Sequence, residues 1–92
     1  MKTFNSRMFT VVFVDATSFW TFEDVAKKDM NIKTMIDGPV FSSVIGGFDD
    51  GHMEVTYSIK WNKVKDFKKL IKTYNRYASV FKKEWMIKMK EA

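Results

Sequence analysis

The chain has 92 residues, a formal net charge of +5 and 46% hydrophobic residues. This length fits a single domain covering residues 1–92, and the apolar content excludes an intrinsically disordered chain. There is no cysteine, which excludes disulfide bonds, a thiolate nucleophile and a cysteine-based metal site, and which suits a reducing compartment.

The charge is unevenly distributed along the chain. Residues 1–59 carry five basic and eight acidic side chains, whereas residues 60–92 carry eleven basic and three acidic ones. The C-terminal part therefore has a positive field that attracts phosphates, acidic protein surfaces or anionic lipid. Fourteen of the sixteen basic residues are lysine, and the scarcity of arginine disfavours sequence-specific reading of bases. This lysine-rich composition is typical of AT-rich genomes and favours a viral, phage-encoded protein.

No transmembrane segment is expected. The apolar stretch at residues 8–14 is far shorter than the roughly 20 residues that a membrane-spanning helix needs. Lys2 and Arg7 ahead of it resemble the start of a signal peptide, but Asp15 follows at once and there is no good small-residue cleavage site. We therefore expect a cytoplasmic protein that does not associate with a membrane.

The N-terminal part predicts a strand followed by a helix. Residues 7–15 are apolar on both alternating faces, which predicts an interior strand covered on both sides. Residues 17–30 have helical spacing, and Thr21 with Asp24 three residues later predicts a capping box. Residues 31–37 alternate like a strand but also fit a continuing helix, so both alternatives stay open.

Residues 40–48 and 52–61 predict a β-hairpin. Asp50-Gly51 between them is typical of a two-residue type I′ turn. Such a turn places Val44 opposite Tyr57 and Val40 opposite Trp61 on one apolar face. We therefore expect Tyr57 and Trp61 to be buried.

Residues 62–90 predict one long helix, around which the rest of the chain is organised. Asn62 is its expected N-cap. The helix would span about 43 Å, so it either extends beyond the sheet or breaks near residues 75–79. Its apolar residues recur at alternating steps of three and four: Val64, Phe67, Ile71, Tyr74, Ala78, Phe81 and Trp85. The expected fold is α+β, with a small antiparallel sheet in β-α-β-β-α order, and an alternative further strand at 31–37, packed against this helix.

Two sets of residues on this helix are candidate binding residues. The first set is basic, points away from the apolar stripe and has few acidic neighbours: Lys65, Lys68, Lys69, Lys72, Arg76, Lys82 and Lys83. An ordinary solvated face is the alternative interpretation. The second set is an apolar docking or dimer surface: Phe81, Trp85, Met86 and Met89. Apolar stripes of this kind more commonly pack in the core or in a homodimer.

No catalytic constellation is recognised. His52 lies within the acidic segment 49–54, but a metal or acid/base site needs further ligands, and a polar hairpin tip explains the segment better. Ser42, Ser43 and Ser58 are expected far from that histidine, so nucleophilic activation is not predicted. We expect no enzyme activity, no metal and no cofactor.

Three functions fit these features. The first is a small non-enzymatic inhibitor or adaptor that docks an acidic surface of a larger host protein through the basic helix. The second is a nucleic-acid-binding protein whose lysines contact the phosphates of DNA or RNA without reading sequence. The β-α-β-β-α order is similar to part of an RNA-recognition motif, but neither aromatic signature of that motif is present. The third is a homodimer held by the C-terminal apolar seam.

Overall fold

The computed structural model describes residues 6–46 and 51–91. The elements are β1 (Ser6–Phe13), α1 (Ala16–Asp29), β2 (Phe41–Ile45), β3 (His52–Lys60), α2 (Val64–Phe81) and β4 (Lys88–Glu91), with short 3₁₀ turns at Ile32–Thr34, Trp61–Lys63 and Lys83–Trp85. The predicted α+β class is confirmed, with an antiparallel sheet packed against a long C-terminal helix.

The described strands form one antiparallel sheet in the order β2-β3-β1-β4. β1 lies inside the sheet, as predicted, because it pairs with β3 on one side and with β4 on the other. β3 lies between β1 and β2, and β1 lies between β3 and β4. The chain therefore forms two interleaved split β-α-β units, each with one crossover helix.

Both helices pack on one face of the sheet through a core of aromatic rings. Phe22 of α1 lies with its ring centroid 5.3 Å from that of Phe13 and 6.4 Å from that of Tyr57. The ring centroid of Phe67 of α2 lies 5.5 Å from that of Phe9 and 5.7 Å from that of Tyr57. All five side chains are almost fully buried. Burying each phenylalanine contributes about 1.5–3 kcal/mol relative to leaving it exposed.

The opposite face of the sheet has no helical layer in the described chain. Met8 on this face is 43% exposed, and the Thr10 and Thr56 hydroxyls hydrogen-bond each other across it at 3.0 Å. The prediction that β1 is covered on both faces is therefore wrong. Both crossover connections have the same preferred hand, so both helices lie on one side of the sheet.

α1 begins well before the predicted capping box. Its N-cap is Asp15, whose carboxylate accepts a hydrogen bond from the Ser18 amide at 2.7 Å. Thr21 lies inside the helix instead, where its hydroxyl donates to the Thr17 carbonyl at 3.0 Å. The capping motif is thus Asp15 with Ser18 at the third helical position, and Thr21 is not a cap.

Residues 31–37 form neither of the two predicted elements. Asn31 has a left-handed backbone with φ of 53°, which ends the helical run, and a 3₁₀ turn follows at Ile32–Thr34. A single bridge then joins Ile36 to Ile59. This segment brings the chain to the edge of β3, where β2 begins.

β2 and β3 pair in a different register from the predicted one. Val44 lies opposite Met53 rather than opposite Tyr57. β2 ends at Ile45, so the connection runs over residues 46–51 instead of a two-residue turn. Asp50 of the predicted turn lies outside the described residues. The shift is by an even number of residues, so each side chain keeps its predicted face of the sheet.

The second predicted pair of the hairpin, Val40 with Trp61, is not formed. Val40 precedes β2, and Trp61 lies in the 3₁₀ turn after β3, where it is 64% exposed. The expected burial of Trp61 is therefore wrong, whereas the expected burial of Tyr57 is confirmed. The chain turns toward α2 at Trp61, which ends the alternation that the strand pattern predicts.

α2 is shorter than predicted at both ends. Its N-cap position is Lys63 without a side-chain cap bond, and Asn62 lies in the preceding 3₁₀ turn, so the predicted Asn62 cap is wrong. The helix continues through residues 75–79 and ends at Phe81. Lys82 has an extended backbone, with φ of −158°. A single helix over residues 62–90 is therefore wrong in its last part.

The chain after α2 returns to the sheet as β4, a strand that is not part of the predicted fold. The side chain of Asn75 holds this return segment. It donates a hydrogen bond to the Ile87 carbonyl at 2.9 Å and accepts one from the Ile87 amide at 2.7 Å. β4 then pairs with β1, with Met89 opposite Val11. Asn75 thus fixes the segment that leads from the helix into the last strand.

Candidate binding surface on the C-terminal helix

The buried stripe of α2 determines which of its side chains face solvent. Its buried residues recur every three or four positions and face the sheet or α1: Val64, Phe67, Leu70, Ile71, Tyr74 and Ala78. At about 100° per residue, four of the predicted basic residues fall in a narrow band on the opposite side. All four are exposed, and we call them the cationic row: Lys65, Lys69, Lys72 and Arg76.

The cationic row has no acidic partner among the described residues. The ion pair of Asp66, in the first turn of α2, is with Lys63 of the preceding 3₁₀ turn, at 3.8 Å. Neighbours in the row are three or four residues apart, a spacing at which like charges repel. The three neighbouring pairs together cost the isolated helix about 1 kcal/mol. An anionic partner would remove this repulsion.

Lys68 and Lys83 lie apart from the row. Lys68 is on the side of α2 that faces β4, near Glu91, and Lys83 lies beyond the helix in a 3₁₀ turn. The Arg7 Nε–H donates a hydrogen bond to the Glu91 Oε2 at 2.6 Å. The hydrogen bond with Arg7 lowers the pKa of Glu91, and Lys68 lowers it further. This exposed network joins β1 to β4 and helps to hold the last strand.

The structure divides the four predicted apolar residues. Trp85 and Met89 are partly buried and pack against the core, and the Lys82 ammonium lies over the Trp85 ring at 4.5 Å from its centroid. Met86 is 42% exposed and Phe81 is 66% exposed. Of this set, Phe81 is the residue that adjoins the cationic row on α2.

Two exposed apolar residues next to Phe81 were missed in the sequence analysis. Tyr77 is 59% exposed and Val80 is 89% exposed. The Tyr77 and Phe81 rings are stacked, with centroids 5.7 Å apart and an angle of 20° between their planes. We call Tyr77, Val80 and Phe81 the apolar end of α2. Val80 follows Arg76 by four residues, so helical spacing alone places it at the end of the cationic row.

A shallow groove runs along α2 to this apolar end. It consists of depressions of about 230, 220 and 660 Å³ that share Thr73 as a lining residue, and the last of them is lined by residues of α2 alone. Met30 and Met35 line one wall, and Leu70 lines the other. Tyr77 lines the two depressions nearest the C-terminal end of the helix. Apolar methionine walls of this kind adapt to side chains of varied shape.

The predicted polar tip of the hairpin shows one side-chain pair. His52 Nε2 lies 3.1 Å from Glu54 Oε2, while Asp49 and Asp50 lie outside the described residues. Within the described ranges, no three His, Cys, Asp or Glu side chains come together as a metal site requires. Ser42, Ser43 and Ser58 lie on the strands, as expected.

Comparisons with protein-family models, curated proteins and solved structures find no significant match to this chain. Within residues 6–46 and 51–91, no helix is long and apolar enough to cross a membrane.

Proposed function

We propose that this chain is a small non-enzymatic binding protein, of the inhibitor or adaptor type, which docks an acidic surface of a larger protein through α2. The observation that carries the proposal is the position of the cationic row directly beside the exposed apolar end on one helix. Either feature alone is common on protein surfaces. Together they place exposed aromatic rings beside charged groups, as where the apolar core of an interface meets its polar rim.

The two features have different roles in this proposal. The stacked Tyr77 and Phe81 rings lose little conformational freedom on binding, and burying them supplies most of the affinity, as aromatic residues do in other interfaces. The cationic row attracts an acidic partner over a distance and sets its orientation, which mainly raises the association rate. The partner is therefore expected to present carboxylates beside an apolar or aromatic side chain that fits the groove.

The test begins with capture of partners from nuclease-treated lysate of cells that express the gene, followed by binding measurements with the purified partner. The triple variant Lys69→Glu, Lys72→Glu, Arg76→Glu should lose at least about tenfold in affinity, or about 1.4 kcal/mol. A matched control reverses three exposed lysines elsewhere and changes the net charge equally: Lys33→Glu, Lys60→Glu, Lys88→Glu. Equal losses in both triple variants would show a net-charge effect and refute docking through α2.

A second pair of variants tests the apolar end. Phe81→Ser removes a ring that is 66% exposed, and Trp20→Ser on α1 removes one that is 65% exposed. The first variant should weaken partner binding while the second should not. Unchanged binding by Phe81→Ser would contradict the role of the apolar end.

The alternative function is binding of nucleic acid through phosphates, and it is supported by the same cationic row. The two central strands carry Met8, Thr56 and Ser58 on the open sheet face, so their described residues offer no aromatic ring there on which bases stack. The exposed ring on that face is Phe41 of the edge strand β2, opposite Thr56, and we expect the contact to be mainly electrostatic. Mobility shifts with random DNA and RNA at about 50 mM salt test it, because such binding weakens steeply as salt rises. A shift abolished only by the α2 triple variant would favour this alternative over protein docking.

A further inference from the structure

β2 forms one outer edge of the sheet, and all five of its residues are exposed. In the described chain it pairs with β3 on one side only. Phe41, Val44 and Ile45 are 59%, 71% and 44% exposed. An edge strand also presents unpaired backbone N–H and C=O groups, which are able to pair with a further strand.

The two edges of the sheet differ in how they are protected. β4 at the other edge carries Lys88, Lys90 and Glu91, and Glu91 is tied to Arg7 across the sheet. Charged side chains of this kind discourage pairing with another chain. β2 has the sequence FSSVI, with no charge and no proline. The edge at β2 is therefore open to strand addition, whereas the edge at β4 is not.

The sequence of β2 is complementary to itself in one antiparallel register. A two-fold axis at Ser43 places Phe41 opposite Ile45 of the second copy and Ser42 opposite Val44 of the second copy. Aromatic and β-branched side chains in such cross-strand pairs stabilise a sheet. An axis at Ser42 or at Val44 would instead place Phe41 or Ile45 opposite a serine. The register centred on Ser43 is thus the one in which Phe41 and Ile45 cover each other.

We propose that two copies of this chain associate by antiparallel pairing of their β2 strands around Ser43, which joins the two sheets into one of eight strands. The occupant of this edge is a second copy because the strand supplies its own complementary partner in that register. The two-fold axis is perpendicular to the sheet, so the helices of both copies lie on the same side. In each copy α2 packs over β1, and Asn75 of α2 hydrogen-bonds Ile87 beside β4, at the edge of the sheet far from β2. The cationic rows therefore stay accessible in the dimer.

The association is weak by the standards of stable dimers. A strand of five residues is about 17 Å long, and its pairing buries far less than the roughly 1,600 Å² of a typical stable interface. Sedimentation equilibrium between about 10 μM and about 1 mM should therefore show a mass that rises from one chain toward two. Ser43→Lys places two like charges directly opposite each other and should keep the protein monomeric over the whole range.

Disulfide trapping tests the register itself, because the chain has no cysteine of its own. Residues directly opposite in an antiparallel pair have Cα atoms about 4.5–5.5 Å apart, within the range that a disulfide bridges. Ser43→Cys should form a covalent dimer in a mild glutathione redox buffer. Ser42→Cys is a matched control, because its two thiols would be two residues out of register and too far apart.

The outcomes separate this inference from the proposed function. Trapping by Ser43→Cys but not by Ser42→Cys, together with a wild-type mass that rises with concentration, supports pairing around Ser43. A wild-type protein that stays monomeric at about 1 mM, or equal trapping of both variants, overturns it. Circular dichroism of each variant confirms that the fold is retained. Binding to an acidic partner through α2 is measured separately and does not depend on this result.

Discussion

Asn75 provides the sharpest test of how the C-terminal part of the chain is held. Its side chain bonds both backbone groups of Ile87, and Ile87 is only 4% exposed. Asn75→Ala removes two hydrogen bonds and leaves a buried N–H and a buried C=O without their partner. A buried polar group without a partner costs about 1–3 kcal/mol. Because the segment can partly relax toward water, we expect a total loss of about 2–4 kcal/mol in the free energy of unfolding.

The assay combines urea denaturation with amide hydrogen exchange. Asn75→Ala should lower the urea midpoint and speed exchange in β4 more than in β3, since β4 is the strand that Asn75 positions. Asn75→Asp keeps an acceptor for the Ile87 amide but turns a carboxylate oxygen toward the Ile87 carbonyl, which repels it, so this variant should not restore the stability that Asn75→Ala loses. Asn62→Ala is a matched control, because Asn62 is exposed and makes no cap bond. It should change stability by less than about 0.5 kcal/mol.

A loss below about 0.5 kcal/mol for Asn75→Ala would refute this reasoning. So would equal losses of stability for Asn75→Ala and Asn62→Ala, because Asn75 is expected to act through its side-chain contacts and not through helix propensity. Unchanged exchange in β4 would show that the strand is held by its pairing with β1 alone.

Two further predictions concern the core and the first helix. The Tyr57 hydroxyl is buried without a hydrogen-bond partner among the described residues, so Tyr57→Phe should stabilise the protein by about 1 kcal/mol in urea denaturation at pH 7. Burial, and secondly the charge of Glu23, raise the pKa of Tyr57. The native state therefore keeps this proton while the unfolded state releases it, and stability should fall above about pH 10 by up to about 1.4 kcal/mol per pH unit. Tyr57→Phe should show a smaller fall between pH 9 and about pH 11, and identical slopes would contradict this account. Asp15→Ala removes the hydrogen bond to the Ser18 amide and should lower the free energy of unfolding by about 1 kcal/mol. Asp15→Asn keeps a side-chain oxygen at this position and should retain most of that stability. Equal losses in these two variants would argue against capping by the side-chain oxygen.

Local pattern was sufficient to predict the element types in most of the described chain. The spacing of Phe67, Ile71 and Tyr74 identifies the buried side of α2, because a helix buries residues three and four apart. It also places Lys69 and Arg76 on the opposite side, so the position of the cationic row follows from the same spacing. These features depend only on the periodicity of a helix.

Tertiary contacts decided where several elements begin, end and pair. Residues 82–91 continue the basic and apolar helical pattern, yet the chain leaves the helix after Phe81. The free edge of β1 gains a partner strand only if residues 88–91 become extended. Strand pairing across the whole chain, with the side-chain bonds of Asn75, thus prevails over the local periodicity.

The exposure of individual side chains was likewise a tertiary property. Sequence periodicity by itself determined the class of fold, the buried stripe of α2 and its positive face. Whether Trp61, Phe81 and Phe41 are covered depends on the hairpin register, on where α2 ends and on which side of the sheet the helices lie. Those choices are made by contacts between residues far apart in the chain, which no local pattern contains.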